Sequence, residues 1–144
     1  EHVDVAALAG EVVSAAEAAA VRSGVRLELV SEDPPHALAT TQGVRQVLNA
    51  LLANAIDHAE GRVTVRVTGG PRGVEVQVAD DGAGFPAGVE VFERFASHRG
   101  QTESSHHYGL GLALVAEIVH RLGGSVRTRP DLSGGVIEVT LPRG

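Results

Sequence analysis

The stretch Val78-Ala79-Asp80-Asp81-Gly82-Ala83-Gly84 brings two carboxylates and two glycines together within five residues. The run before it, Val74-Glu75-Val76-Gln77-Val78, alternates apolar and polar residues as a half-buried strand does. That strand delivers Asp80 to its exit. At Gly82 and Gly84 the backbone can take positive φ and lie close to a ligand. A carboxylate beside such a loop can accept a hydrogen bond from an exocyclic amine, such as that of adenine. Taken alone, the stretch also fits an ordinary Asp-Gly turn after a strand.

Three other segments bear on the choice. Asn54 sits in an apolar helical repeat, Val44, Val47, Leu48, Leu51, Leu52, Ala55 and Ile56. It falls on the edge of that stripe, on the flank shared with Ala50, Asp57 and His58, whereas Asn49 lies about 140° away around the helix. A carboxamide oxygen at this edge suits Mg²⁺, which bridges phosphate oxygens and takes few protein ligands. Gly109-Leu110-Gly111-Leu112-Ala113 is expected at a helix start, where free N–H groups and the helix dipole attract anions. A Rossmann glycine turn would need a strand directly before it, and a His-rich loop stands there instead. There is no Gly-x-x-x-x-Gly-Lys-Ser/Thr run. His98, His106 and His107 lack cysteine partners or a helical His-x-x-x-His pair and read as solvated lid residues. Arg94 and Arg99 can reach a phosphate or remain solvated.

The elements that position these residues follow from periodicity. A short strand is expected around Val3 and Val5. A helix runs from Val5 to Ser23, with Leu8, Val12, Val13 and Val21 on its apolar side and Gly24 past its end. Val25 to Val30 alternates as a strand, Asp33-Pro34-Pro35 turns, and His36 to Ala39 is a further short strand. Thr40 caps the helix that carries Asn54, which runs to about Ala59. Val63 to Val67 and Val74 to Val78 form a hairpin across Gly69-Gly70-Pro71-Arg72-Gly73. Residues 82–108 form an irregular lid, broken by the short helical turn Val91-Phe92-Glu93-Arg94-Phe95. A helix from Gly109 to Leu122 and strands Ser125–Thr128 and Gly135–Leu141 close the chain. The order αβ(β)αββ–lid–αββ gives an α/β (α+β) two-layer sandwich. In it a mixed sheet of about five strands is covered on one face by three helices.

Composition sets the outer limits. At 144 residues the chain suits one domain, 1–144, with its own core. Its 43% apolar content is that of a globular protein, and a net charge of −6 opposes general nucleic-acid binding. No apolar run approaches the ~20 residues of a membrane helix, and no secretory signal opens the chain. With no cysteine there is neither a disulfide framework nor a thiolate zinc site, and a reducing cytoplasm is allowed. The start at Glu1 rather than Met is expected of a fragment.

Together the segments resemble the catalytic ATP-binding domain of bacterial sensor histidine kinases, of the superfamily shared with gyrase, the Hsp90 chaperones and MutL. Gln46-Val47-Leu48 through Asn54-Ala55-Ile56-Asp57-His58 resembles the asparagine box. Asp80-Asp81-Gly82-Ala83-Gly84 resembles the first glycine box and Gly109-Leu110-Gly111-Leu112-Ala113-Leu114-Val115 the second. Val91-Phe92-Glu93-Arg94-Phe95 resembles the phenylalanine box. Val3-Asp4-Val5, Leu122-Gly123-Gly124 and the final Leu141-Pro142 are similar to the family as well. The resemblance spans nearly the whole chain and implies the Bergerat ATP-binding fold with a flexible lid. It implies ATP and Mg²⁺ as cofactors, with Asp80 reading the adenine amine and Asn54 holding Mg²⁺. Gly82 and Gly84 would shape the adenine pocket, Gly109 and Gly111 would hinge the lid and cradle phosphates, and Phe92 and Phe95 would anchor it. Asp57, His58, Arg99, Tyr108, Leu110 and Leu112 complete the implied ATP site. The implied reaction moves the γ-phosphoryl group to a histidine and then to an aspartate of a response regulator.

Two positions depart from the family. A second Asn is usual one turn before the Mg²⁺ ligand; here Ala50 stands there, and hydrolytic relatives carry a glutamate base at that place. Asp57 occupies a position usually held by Lys or Arg near the phosphates, which implies modest ATP affinity. The phosphoacceptor box needs His, an acidic neighbour and Pro four residues after the His, and none of the seven histidines has it. The chain is therefore expected to bind nucleotide without phosphorylating itself, and to contain no catalytic residue of its own. Its implied partners are its own dimerisation and phosphoacceptor domain and a response regulator. No nucleic acid or direct membrane contact is expected. By family habit the fragment would be a cytoplasmic monomer and its parent a membrane-anchored bacterial homodimer. The alternatives are an anti-sigma-factor-type serine kinase of the same superfamily, and a degenerate partner-binding domain with weak nucleotide affinity.

Overall fold

The computed structural model describes residues 1–84 and 103–144, with the backbone alone over 103–110. A short strand β1 (His2–Val3) leads into helix α1 (Val5–Arg22), and β2 (Arg26–Ser31) and β3 (Ala37–Leu38) precede α2 (Thr41–His58). The hairpin β4 (Arg62–Gly70) and β5 (Gly73–Asp80) follows, then α3 (Glu103–Arg121), β6 (Ser125–Thr128) and β7 (Gly135–Leu141). The five-stranded sheet has the order β2-β4-β5-β7-β6, and β1 and β3 form a separate two-stranded sheet. Only β2 and β4 pair in parallel; the other pairs of the large sheet are antiparallel. The expected mixed sheet and three-helix layer are both present.

Local chemistry explains where the elements start and stop. Asp4 caps α1, its Oδ1 accepting from the Ala7 N–H at 3.0 Å. Thr40 caps α2 as expected, its hydroxyl accepting from Gly43 N–H at 3.0 Å. Gly24 and Gly123 follow α1 and α3 with φ of 72° and 81°, the left-handed exit that glycine takes without strain. The β4–β5 strands extend further than their hydrophobic runs, leaving only Pro71-Arg72 as the turn.

One face of the sheet carries the core. Val63, Val65 and Val67 of β4 stand beside Asp80, Val78 and Val76 of β5, which in turn face Gly135, Ile137 and Val139 of β7. All three valines of β4 are buried in one core with Val44, Leu48, Leu51 and Leu52 of α2 and Leu112, Val115 and Val119 of α3. Helix α1 adds Leu8, Val12 and Val13. Val21, read on its apolar side, is 72% exposed instead. At about 100° per residue it points away from Ala20, which takes the buried place in the last turn. The other face of the sheet is polar, with Arg66, Gln77, Glu138 and Arg127 in one cross-strand row.

Candidate functional site

Asp80 closes β5 with its side chain on the core face, and it is only 7% exposed. Its Oδ1 accepts from the Gly82 N–H at 2.8 Å, a local Asp turn that aims the carboxylate forward. The Gly135 N–H also bears on this carboxylate. Burial pushes the Asp80 carboxyl above its ordinary value, while the N–H groups of Gly82 and Gly135 and the charge of His58 pull it back. The result is a carboxylate with little water around it and a strong demand for donors.

The backbone around Asp80 is bare by necessity. A Cβ on Gly135 would stand 2.6 Å from Asp80 Oδ2, and one on Gly134 would collide with the Asp80 carbonyl. A Cβ on Gly82 would collide with the His58 carbonyl and reach 3.0 Å from Asp80 Oδ1. Gly84 has φ of 87°, and a Cβ there would stand 3.1 Å from the Gly134 carbonyl oxygen. Three chain segments therefore meet at Asp80: the end of α2, the loop after β5, and the turn before β7.

Asp81 points the other way. Its Oδ1 accepts from Glu60 N–H at 2.8 Å and Gly61 N–H at 3.0 Å. Backbone N–H groups of Gly61 and Arg62 hold its carboxyl below the ordinary value. Asp81 thus ties the α2–β4 connection to the exit of β5 and sets how α2 approaches Asp80.

On α2, Asn54 and Ala50 are half-buried and Asn49 is exposed, the arrangement that the helical spacing implies. Asp57 is exposed; its Oδ2 lies 4.0 Å from Nε2 of half-buried His58. The α2 residues and the Asp80-to-Gly84 loop are thus brought to one end of the sheet, with the His58 carbonyl against Gly82.

The second glycine segment is placed differently from the sequence reading. Helix α3 begins at Glu103, so Gly109, Leu110 and Gly111 lie within it and Tyr108 is helical. Amides past the first turn of an α-helix bond carbonyls four residues back. Gly109 and Gly111 therefore do not offer the free N–H groups of a helix start. No proline interrupts 103–121. A Cβ on Gly111 would meet nothing within 4 Å. Leu112 is buried in the core. Phe92, Phe95 and Arg99 lie outside the described residues.

Sequence reasoning did not single out Gly134 and Gly135 as site residues. The only trace was a glycine pair ahead of a strand, and the register that sets Gly135 opposite Asp80 is a tertiary fact. Two grooves of about 500 and 330 Å³ run along α3, beside β6 and beside the start of α2, and neither includes Asp80 or Asn54.

Residues 39–144 match the family of histidine kinase-, DNA gyrase B-, and HSP90-like ATPases. The chain is 40% identical over 147 aligned positions to the probable sensor histidine kinase TcrY of Mycobacterium tuberculosis, covering 97% of this chain and 30% of that protein. It is 34% identical over 119 positions to the sensor histidine kinase component HK1 of the same species, covering 78% of this chain and 64% of that protein. It thus spans between about a third and two thirds of the length of these relatives. Among solved structures, the mycobacterial sensor histidine kinase MprB matches with a TM-score of 0.79 at 28% identity, covering 99% of this chain and 97% of that one. The ATP-binding domain of PrrB from Mycobacterium tuberculosis matches with a TM-score of 0.75 at 28% identity, covering 100% and 98%. The full-length protein ShkA, solved in complex with AMPPNP, matches with a TM-score of 0.80 at 28% identity, covering 100% and 31%. With four sequence segments in the family's order and a three-helix, five-strand sandwich, the chain belongs to the histidine kinase-, DNA gyrase B-, and HSP90-like ATPase family, as a catalytic ATPase domain of the histidine kinase type.

Proposed function

We propose that the chain binds Mg-ATP with the adenine amine donating to Asp80 and presents the γ-phosphoryl group to a histidine of a dimerisation domain, for relay to an aspartate of a response regulator. The observation that carries this reading is the buried Asp80 carboxylate at the strand exit, flanked by glycine backbone from the loop after β5 and the turn before β7. ShkA, similar over this whole chain, has been solved with AMPPNP, which supports the same ligand class here. Asn54 offers one neutral, half-buried oxygen on the α2 flank, a donor that fits a Mg²⁺ ion held mainly by phosphates. Such an ion would neutralise phosphate charge during transfer. Asp80 orients the base, Asn54 fixes the metal side, and α2 and the glycine loop exclude water from the purine. An imidazole nitrogen of the acceptor attacks the γ-phosphorus, the bond to the β-phosphate oxygen breaks, and ADP leaves.

The test is transfer of label from γ-labelled ATP, with and without a separately supplied histidine-bearing dimerisation domain. Acid-labile label is expected on that domain and none on this chain. Acid-labile label on this chain alone overturns the assignment, and acid-stable label on a serine favours the serine-kinase alternative. Saturable ADP binding that is lost in Asp80→Ala checks the nucleotide site independently.

A further inference from the structure

The turn that delivers Gly134 and Gly135 to Asp80 is held from the opposite face of the sheet. Arg129, just past β6, makes a two-pronged pair with Asp131: Nε donates to Oδ1 at 2.9 Å and Nη2 to Oδ2 at 2.7 Å. Its remaining nitrogen, Nη1, donates to Oε2 of Glu138 at 3.2 Å. Glu138 belongs to β7, three residues after Gly135, and is 6% exposed. It is fixed in turn by Gln77 Nε2 at 3.0 Å and Arg127 Nε at 2.9 Å. The backbone completes the turn, with Arg129 N–H donating to the Val136 carbonyl at 2.9 Å and Leu132 N–H to the Arg129 carbonyl at 3.1 Å.

One guanidinium thus bridges a loop carboxylate and a buried strand carboxylate. A planar fork is suited to this, because it satisfies two acceptors in a fixed geometry. Asp131 is held down to about 2, first by its hydrogen bonds from Arg129. Burial of Glu138 opposes ionisation, but the hydrogen bonds of Gln77 and Arg127 and the charges of both arginines hold its carboxyl below the ordinary value. All three groups are therefore charged at neutral pH, and the clamp is closed.

We propose that Arg129, through Asp131 and Glu138, is a positioning residue for the nucleotide site: it holds the β6–β7 turn so that the Gly135 N–H and the bare backbone of Gly134 stay seated against Asp80. This deepens the function proposed above and rests on it for the identity of the ligand. The clamp acts across the sheet; its own groups lie on the polar face, away from the purine. When the turn loosens, Asp80 loses a donor and its carboxylate becomes harder to ionise. Among the described residues, the groups facing Asp80 are His58 at the end of α2, Asp81 next along the chain, and the N–H groups of Gly82 and Gly135. None of these is altered directly by a change at Arg129.

Two readouts test the proposal on the whole chain. The first is the carbon-detected titration of the Asp80 carboxyl in ligand-free protein, wild type against Arg129→Ala. The midpoint is expected to rise in the variant. The second is calorimetric titration with ADP, where the dissociation constant should increase about tenfold, the worth of one hydrogen bond to a charged group. Arg129→Lys should fall between the two, because one ammonium cannot hold both carboxylates in the same geometry. If Arg129→Ala does not fold, Asp131→Asn takes its place in both measurements. An unmoved Asp80 midpoint with an ADP constant within twofold of wild type overturns the clamp, whatever the change in melting temperature. A raised midpoint in a protein whose wild type binds no ADP supports the clamp and overturns the nucleotide reading instead.

Discussion

Replacing Asp80 with Asn separates what the carboxylate does for the ligand from what it does for the fold. The substitution keeps the volume and leaves one oxygen to accept from Gly82. The other position becomes an NH₂ that faces the Gly135 N–H and, with nucleotide bound, the adenine amine. Loss of a hydrogen bond to a charged group costs about 1.5–3 kcal/mol, so ADP binding should weaken between about tenfold and a hundredfold. The unliganded protein should respond in the opposite sense. Burial raises the Asp80 carboxyl above its unfolded value, so the folded state binds more protons than the unfolded state in that window. Stability therefore falls as pH rises through the folded value, and ionised Asp80 is a net cost near neutrality. A neutral Asn removes that cost. Thermal unfolding with and without ADP reads both effects. At a hundred times the wild-type dissociation constant, ADP should stabilise wild type by about 2.7 kcal/mol and the variant by only about 0.4–1.4 kcal/mol. At roughly 3 °C per kcal/mol for a chain of this size, the ADP-induced rise should shrink from about 8 °C to about 1–4 °C. The melting temperature without ligand should stay level or rise. ADP affinity within threefold of wild type, or a clear loss of stability without ligand, would falsify this account of Asp80.

Asp57→Lys should strengthen ATP binding about three- to tenfold at low salt, and the gain should shrink at high salt, as expected for an exposed charge near phosphates; unchanged or weaker binding by calorimetry rules out repulsion at this position. Gly111→Ala should raise the melting temperature by about 3 °C, because the added methyl meets nothing and helix propensity gains about 1 kcal/mol; no rise means that the helix does not run through this residue. Gly134→Ala should cost more than ~2 kcal/mol, since φ is 78° and the methyl would collide with the Asp80 carbonyl; a melting temperature lowered by less than about 3 °C contradicts the close approach of this turn.

What could be read in advance divides along a physical line. Strands β4, β5 and β7 and helix α2 announce themselves because their apolar residues recur at the period of the element, and one face of each is buried. Asp80 was legible for the same reason: it ends a period-two run and precedes glycines. The start of α3 was not legible, because Ser, His and Tyr carry no strong preference and the two glycines at 109 and 111 read as a beginning rather than an interior. Gly135 was hidden for a deeper reason. Its place beside Asp80 follows from the antiparallel register of β5 and β7, strands separated by 54 residues from Asp80 to Gly135. No local pattern encodes a register between distant strands; it is set by the whole buried face. The Arg129 clamp shares that blindness, since its three groups form a cluster only after the β6–β7 hairpin closes. The tip of that hairpin tolerates little change, since Gly134 and Gly135 leave no room for a Cβ beside Asp80, whereas the clamp that holds it lies on the other face of the sheet. On the proposed clamp, nucleotide affinity is set in part from that far face, by residues that do not themselves meet the ligand.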